Sequence, residues 1–193
     1  MKIAVTGGIG AGKSEVMKEI ARRGCRVCSA DEINDRLQER PGYIRKISKV
    51  FPAAVKDGKI DKNVLRDIVF TDDSKRARLN AIAHPEIRRE LENTEGDFFA
   101  EVPLLFESGM QDLFDAVIIV TANADTRIDR IKGRGLSEER AKSIMAAQFS
   151  DSDRIRLSDN PFIIENDGNI ENLIKQTDEI LKKIQGEKYG NNG

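Results

Sequence analysis

Gly7, four further residues and then Gly12-Lys13-Ser14 complete the G-x4-G-K-S pattern of a phosphate-binding loop, in the segment GGIGAGKS. The chemistry needs these residue types at this spacing. Glycines let backbone N–H groups close on phosphate oxygens where a Cβ would obstruct them. A helix starting at the end of the loop adds the positive end of its dipole. Lys13 is then placed to reach the β- and γ-phosphates, and the Ser14 hydroxyl to ligate Mg²⁺. The run Lys2–Thr6 before the loop reads as a short apolar strand. Val16, Met17, Ile20 and Ala21 after it recur at helical spacing. The expected ligand is a nucleoside triphosphate.

A phosphate loop alone leaves open a switch GTPase, a motor-type ATPase and a small-molecule kinase. The GTPase would carry N-K-x-D after a later strand. Here Val120-Thr121 run into Ala122-Asn123-Ala124-Asp125, with no lysine. The motor would need more chain and a plain acidic strand end; Phe98-Phe99-Ala100-Glu101 is an imperfect version. A kinase needs an acceptor pocket and a cation-rich lid. The long segment between the second and third strands and the arginines at 134, 140, 154 and 156 fit it best. Most of those arginines read as a solvated face, Arg140 among them.

Composition narrows the rest. The 193 residues suit one domain, and 33 acids against 32 Lys plus Arg leave −1, so no global field marks a nucleic-acid or membrane binder. Cations for a polyanionic ligand must be local. No apolar run approaches the roughly 18 residues of a membrane span, and the N-terminus lacks a signal peptide's apolar core. A soluble cytoplasmic protein is expected, monomeric or a weak homo-oligomer. Cys25 and Cys28 form a C-x-x-C, but zinc wants four ligands and the chain has one histidine, His84. They read as small buried hydrophobes on a buried strand.

The elements that position these groups alternate strand and helix. Strands are expected at Lys2–Thr6, Arg26–Ala30, Phe98–Val102, Ala116–Thr121 and Phe162–Glu165. Helices are expected from Glu15 to Arg23, from about Asp31 to Arg40, and at Tyr43–Phe51, Lys62–Phe70, Ser74–Ala83 and Asp125–Lys132, with a turn at Lys56–Gly58. His84-Pro85 starts another helix. Pro103–Phe114 reads as a loop with a short helix, and Gly133–Asn160 as a flexible charged stretch. A last amphipathic helix runs through Ile184, and Gly186–Gly193 reads as a tail. The pattern predicts an α/β doubly wound parallel sheet.

GGIGAGKS, S-A-D at 29–31, H-P-E at 84–86, V-P-L-L-F-E at 102–107, A-A-Q at 146–148 and E-N-D-G at 165–168 together resemble the dephospho-coenzyme A kinase family, in order, from Met1 to about Ile184. The resemblance implies transfer of the ATP γ-phosphoryl group to the ribose 3′-hydroxyl of dephospho-CoA, with Mg²⁺. It also implies a P-loop kinase-type three-layer fold with a five-stranded parallel core at 1–34, 96–133 and 161–185. A helical acceptor lobe at about 35–95 and a lid at about 134–160 would complete one domain.

Residue by residue, Asp31 matches the family's proton acceptor, although it also suits a helix N-cap. His84 and Arg88 match the acceptor pocket; His84 at a helix start also has a plain structural reading. Leu104 and Leu105 match its walls and Glu107 a polar contact. Gly8, Gly10, Ala11, Gly12, Lys13, Ser14 and Glu15 would bind ATP, with Arg130 beside them and Asn166 and Gly168 passing the adenine. Arg134 falls where a lid arginine meets the transferring phosphoryl group. Ser29 stands where the family shows Asp, and Glu15 where it shows Thr. The stretch from Gln148 to Asn166 is longer than in the family, so the register of Arg154 and Arg156 stays open. A kinase with a nucleoside or nucleotide acceptor, or a switch without transfer activity, are the competing readings.

Overall fold

The computed structural model describes residues 1–70 and 72–190, the last four as backbone only. The chain divides into two compact units, Met1–Cys28 with Gly96–Gly193, and Ser29–Glu95.

The first unit is built on a parallel sheet. Its strands are β1 (Lys2–Thr6), β2 (Val27–Ser29), β5 (Phe98–Glu101), β6 (Ala116–Thr121) and β7 (Phe162–Glu165), in spatial order β2-β5-β1-β6-β7. The register sets Ile3 beside Phe99, Val5 beside Ile118 and Val120 beside Ile164. The central strands are nearly continuous apolar runs because both faces of a parallel sheet are covered. On one face Ile3, Val5, Ile118 and Val120 pack with Val16 and Ile20 of α1 (Lys13–Arg22) and with Leu173, Leu181 and Ile184 of α9 (Ile170–Gly190). Each fully buried side chain of this size contributes roughly 1.5–3 kcal/mol relative to exposure.

The second unit is helical: α2 (Ala30–Leu37), α3 (Pro41–Val50), α4 (Lys62–Phe70) and α5 (Asp73–Glu92), with a small hairpin of β3 (Val55–Lys56) and β4 (Lys59–Ile60). The expected turn at Lys56–Gly58 closes that hairpin, with Asp57 and Gly58 both at positive φ. Three helices follow in the first unit: α6 (Ala124–Lys132), α7 (Glu138–Ala146) and α8 (Asp151–Arg156). Among the described residues no helix is long and apolar enough to cross a membrane.

Four expectations change. The helix expected to restart at His84 is one 20-residue helix running through Pro85. Ala83, Ile87 and Leu91 are buried at four-residue spacing across it, and that packing carries the helix past the ~3 kcal/mol a proline costs. The stretch 133–160 is not irregular: Ser137 and Ser150 cap α7 and α8 by accepting the amides of Arg140 and Asp153. The last helix continues past Gly186 to Gly190, while 191–193, part of the expected tail, lie outside the described residues. The cysteine strand is not buried, because β2 is the edge of the sheet and Val27 is 37% exposed.

Cys25 and Cys28 are half-buried and not joined in a disulfide, and burial raises the Cys25 pKa, which leaves less reactive thiolate. The double variant Cys25→Ala/Cys28→Ala should therefore keep full activity and bind no less metal than the parent. One equivalent of zinc that copurifies with the parent and disappears from the variant would contradict this.

Candidate active site

The start of α1 has no side-chain cap. Gly12, at φ 101°, occupies the capping position, and the amides of Glu15 and Val16 bond back to its carbonyl at 3.0 and 3.3 Å. Among the described residues no hydrogen bond within the chain takes up the amides of Gly10 or Gly12. Lys13 is only 9% exposed; its ammonium curls over the loop and donates to the carbonyls of Gly7 at 3.0 Å and Gly8 at 3.3 Å. Glu15 points its carboxylate along the helix to Lys18, 2.7 Å away. The Ser14 side chain is exposed.

Two elements close on the loop from outside. The buried Asn166, just after β7, donates from Nδ2 to the Ala11 carbonyl at 2.7 Å. A Cβ on Gly12 would stand 2.0 Å from that nitrogen, so only glycine fits there. From α6, Arg130 donates to the carbonyls of Gly10 at 3.2 Å, Ala11 at 3.4 Å and Asn166 at 2.9 Å. Gly168 lies exposed in the turn before α9.

Sequence reasoning missed Arg127 and Gln148. Arg127, one turn before Arg130 on α6, is buried against Gly8 and donates from Nε to the Ile9 carbonyl at 2.8 Å. Burial pulls its pKa down, Asp151 raises it and Arg154 lowers it. Gln148 accepts the Ile9 amide at 2.9 Å. The i,i+3 spacing of the two arginines was a readable signal for the first, and the A-A-Q motif at 146–148, to which no role was given, for the second.

The residues matched to the acceptor are placed as follows. Leu105 is 0% exposed, a core residue rather than a pocket wall, while Leu104 is half-buried. Glu107 accepts the Phe149 amide at 3.1 Å and faces Arg154. In the second unit, Asp31 is exposed in the first turn of α2. The cap is Ser29, whose hydroxyl accepts the Asp31 amide at 3.2 Å, so Asp31 is not the N-cap. His84 is half-buried on α5, and that burial lowers its pKa, which keeps it neutral at pH 7. Arg88, one turn on, donates to Glu92 at 2.9 Å. Arg134 is exposed. Its backbone is fixed although glycines flank it: the amides of 133–136 all bond back to α6, and Gly135, at φ 87°, closes the helix.

The dephospho-CoA kinase family model matches residues 1–172. The chain belongs to the dephospho-CoA kinase family. It is an ATP-dependent phosphotransferase of coenzyme A synthesis. Among relatives, the dephospho-CoA kinase of Fusobacterium nucleatum is 34% identical, over 95% of this chain and 98% of its own. That of Streptomyces avermitilis is 36% identical, over 93% and 92%. The solved dephospho-CoA kinase of Campylobacter jejuni superposes with a TM-score of 0.67 at 30% identity, over 99% of this chain and 100% of its own. A shikimate kinase from Acinetobacter baumannii, at 14% identity and a TM-score of 0.58, shares the fold alone.

For a kinase of this family, the two departures have simple consequences here. Serine at 29 provides the α2 cap, and the carboxylate of Glu15 is engaged away from the loop.

Proposed function

We propose that this kinase moves the γ-phosphoryl group of ATP to the ribose 3′-hydroxyl of dephospho-CoA using the residues located above. The observation that carries this is the phosphate loop, with Asn166 and Arg130 packed on it and the amides of Gly10 and Gly12 left for phosphate oxygens. Lys13 would exchange its two loop carbonyls for the β- and γ-phosphates, offsetting charge as it spreads over the transferring group. Ser14, exposed at the helix start, offers one oxygen to Mg²⁺, a cation that favours oxygen ligands and keeps phosphates and water around it. Bound with ATP, Mg²⁺ would neutralise charge on the phosphates. Asp31 would orient the acceptor hydroxyl and take its proton. The Ser29–Glu95 unit would carry the acceptor through His84 and Arg88. The 134–160 stretch would close as a lid that excludes water. The enzyme would work in the cytoplasm, as a monomer or weak homo-oligomer.

The test is ATP with a panel of hydroxyl acceptors, read as phosphorylated product. Product with dephospho-CoA alone supports the reading. Product with nucleosides would move the acceptor assignment, and nucleotide binding without turnover would end it.

The lid makes its own prediction. Arg134→Lys keeps the charge but loses the planar fork that pairs bidentately with phosphate oxygens. A fall in kcat of about 10²-fold is expected, below the loss of a sole arginine finger because other cations share the charge. Arg140 is half-buried and is unsuitable as a surface control. Arg156, 77% exposed and paired with Asp153 at 3.0 Å, serves instead, and Arg156→Lys should change little. Equal small losses in the two variants would mean that Arg134 does not meet the phosphoryl group.

A further inference from the structure

Ile9 stands at the tip of the phosphate loop, and both its polar backbone groups are held by side chains from elsewhere. Gln148 accepts its N–H at 2.9 Å and Arg127 donates to its carbonyl at 2.8 Å. These two holders join a closed ring. The amide of Phe149, next to Gln148, donates to Glu107 Oε1 at 3.1 Å, and the same oxygen lies 3.7 Å from Arg154 Nη2. Arg154 Nη1 donates to Asp151 Oδ1 at 3.0 Å, and Asp151 Oδ2 lies 4.0 Å from Arg127 Nη1.

The ring is an unusual thing to bury. Arg154 is 0% exposed, and its Nε and Nη2, together with Glu107 Oε2, have no hydrogen-bond partner among the described residues. Two arginines and two carboxylates balance, yet such clusters add little net stability over apolar packing of the same volume. Their value lies in fixing geometry, and the group fixed here is one peptide plane. In a planar trans peptide the C=O and the following N–H point opposite ways. Holding the Ile9 carbonyl outward on Arg127 therefore turns the Gly10 N–H to the other side of the loop. Gly10, at φ 78°, resists a flip of that plane poorly without such a hold.

We propose that Arg127 is a positioning residue, steadied by Asp151, that aims the Gly10 amide into the phosphate cradle. Nucleotide affinity thereby depends on the 148–154 segment. This rests on the reading that the loop takes ATP phosphates, but not on which acceptor is used.

The test uses the full chain with three variants: Arg127→Met, the charge-balanced Arg127→Met/Asp151→Asn, and Gln148→Ala, which disturbs no charge. ADP affinity by calorimetry needs no acceptor, so it separates this proposal from the assignment of dephospho-CoA. Both Arg127 variants should weaken ADP by about 10-fold or more, the scale of losing a charge-assisted hydrogen bond. They should raise KM for ATP in step and leave KM for dephospho-CoA alone. Gln148→Ala should show the same pattern at about 3-fold to 10-fold, the scale of a neutral hydrogen bond. The melting temperature of the double variant should recover towards the parent while its ADP affinity does not. ADP affinity that returns with the melting temperature would reduce Arg127 to a structural role. Unchanged ADP affinity in Gln148→Ala together with either folded Arg127 variant would overturn the clamp.

Discussion

Lys13→Ala loses turnover by at least about 10³-fold, the scale on which a single cation at the transferring phosphoryl group acts, while the fold persists. The ammonium is buried over the loop and bonded to the carbonyls of Gly7 and Gly8. Alanine removes those two bonds from a charged donor, each worth roughly 1.5–3 kcal/mol net. In a chain of this length, at roughly 2–4 °C per kcal/mol, that lowers the melting temperature by about 6–24 °C. The catalytic loss is larger because no other side chain of the loop carries positive charge: its remaining residues are Gly, Ile, Ala and Ser. Steady-state kinetics beside a melting curve separate the two effects. Near-normal kcat in a folded variant would end the assignment of this loop to the transferred phosphates.

The parts of the site that were legible in the sequence are those whose signal is local. The phosphate loop is one contiguous segment between a strand and a helix, and β1, β5 and β6 are apolar runs of strand length. What stayed hidden depends on partners far along the chain. Arg127 meets a backbone carbonyl 118 positions away, and nothing in a carbonyl's sequence neighbourhood advertises that it needs a donor. Leu104 and Leu105 are identical as letters, yet one is half-buried and the other is in the core. The helices α7 and α8 were overlooked because charge density reads as loop, although Ser137 and Ser150 were standing as caps before acidic first turns. His84-Pro85 misled in the other direction. The proline suggested a break, and the burial of Ala83, Ile87 and Leu91 on either side overrode it.

Asp31→Asn should lower kcat by about 10²–10³-fold and leave KM for dephospho-CoA nearly unchanged. General-base contributions span roughly 10²–10⁴-fold. The lower half is expected because a loose phosphoryl transition state asks little of the nucleophile early on. Asparagine keeps the shape and one hydrogen bond but cannot take the proton. The structure makes the experiment cleaner than the sequence allowed, because Ser29 rather than Asp31 caps α2. Losing the Asp31 carboxylate therefore leaves that cap in place, and the helix-dipole part of the loss is about 0.3–1 kcal/mol. Ser29→Ala is the matching control: it removes the cap, costs about 1 kcal/mol of stability, and should leave kcat close to the parent value. If Ser29→Ala lowers kcat as far as Asp31→Asn does, the order of the α2 start rather than the carboxylate sets the rate. If Asp31→Asn raises KM with kcat intact, Asp31 is a binding group, and the proton of the acceptor hydroxyl leaves by another route.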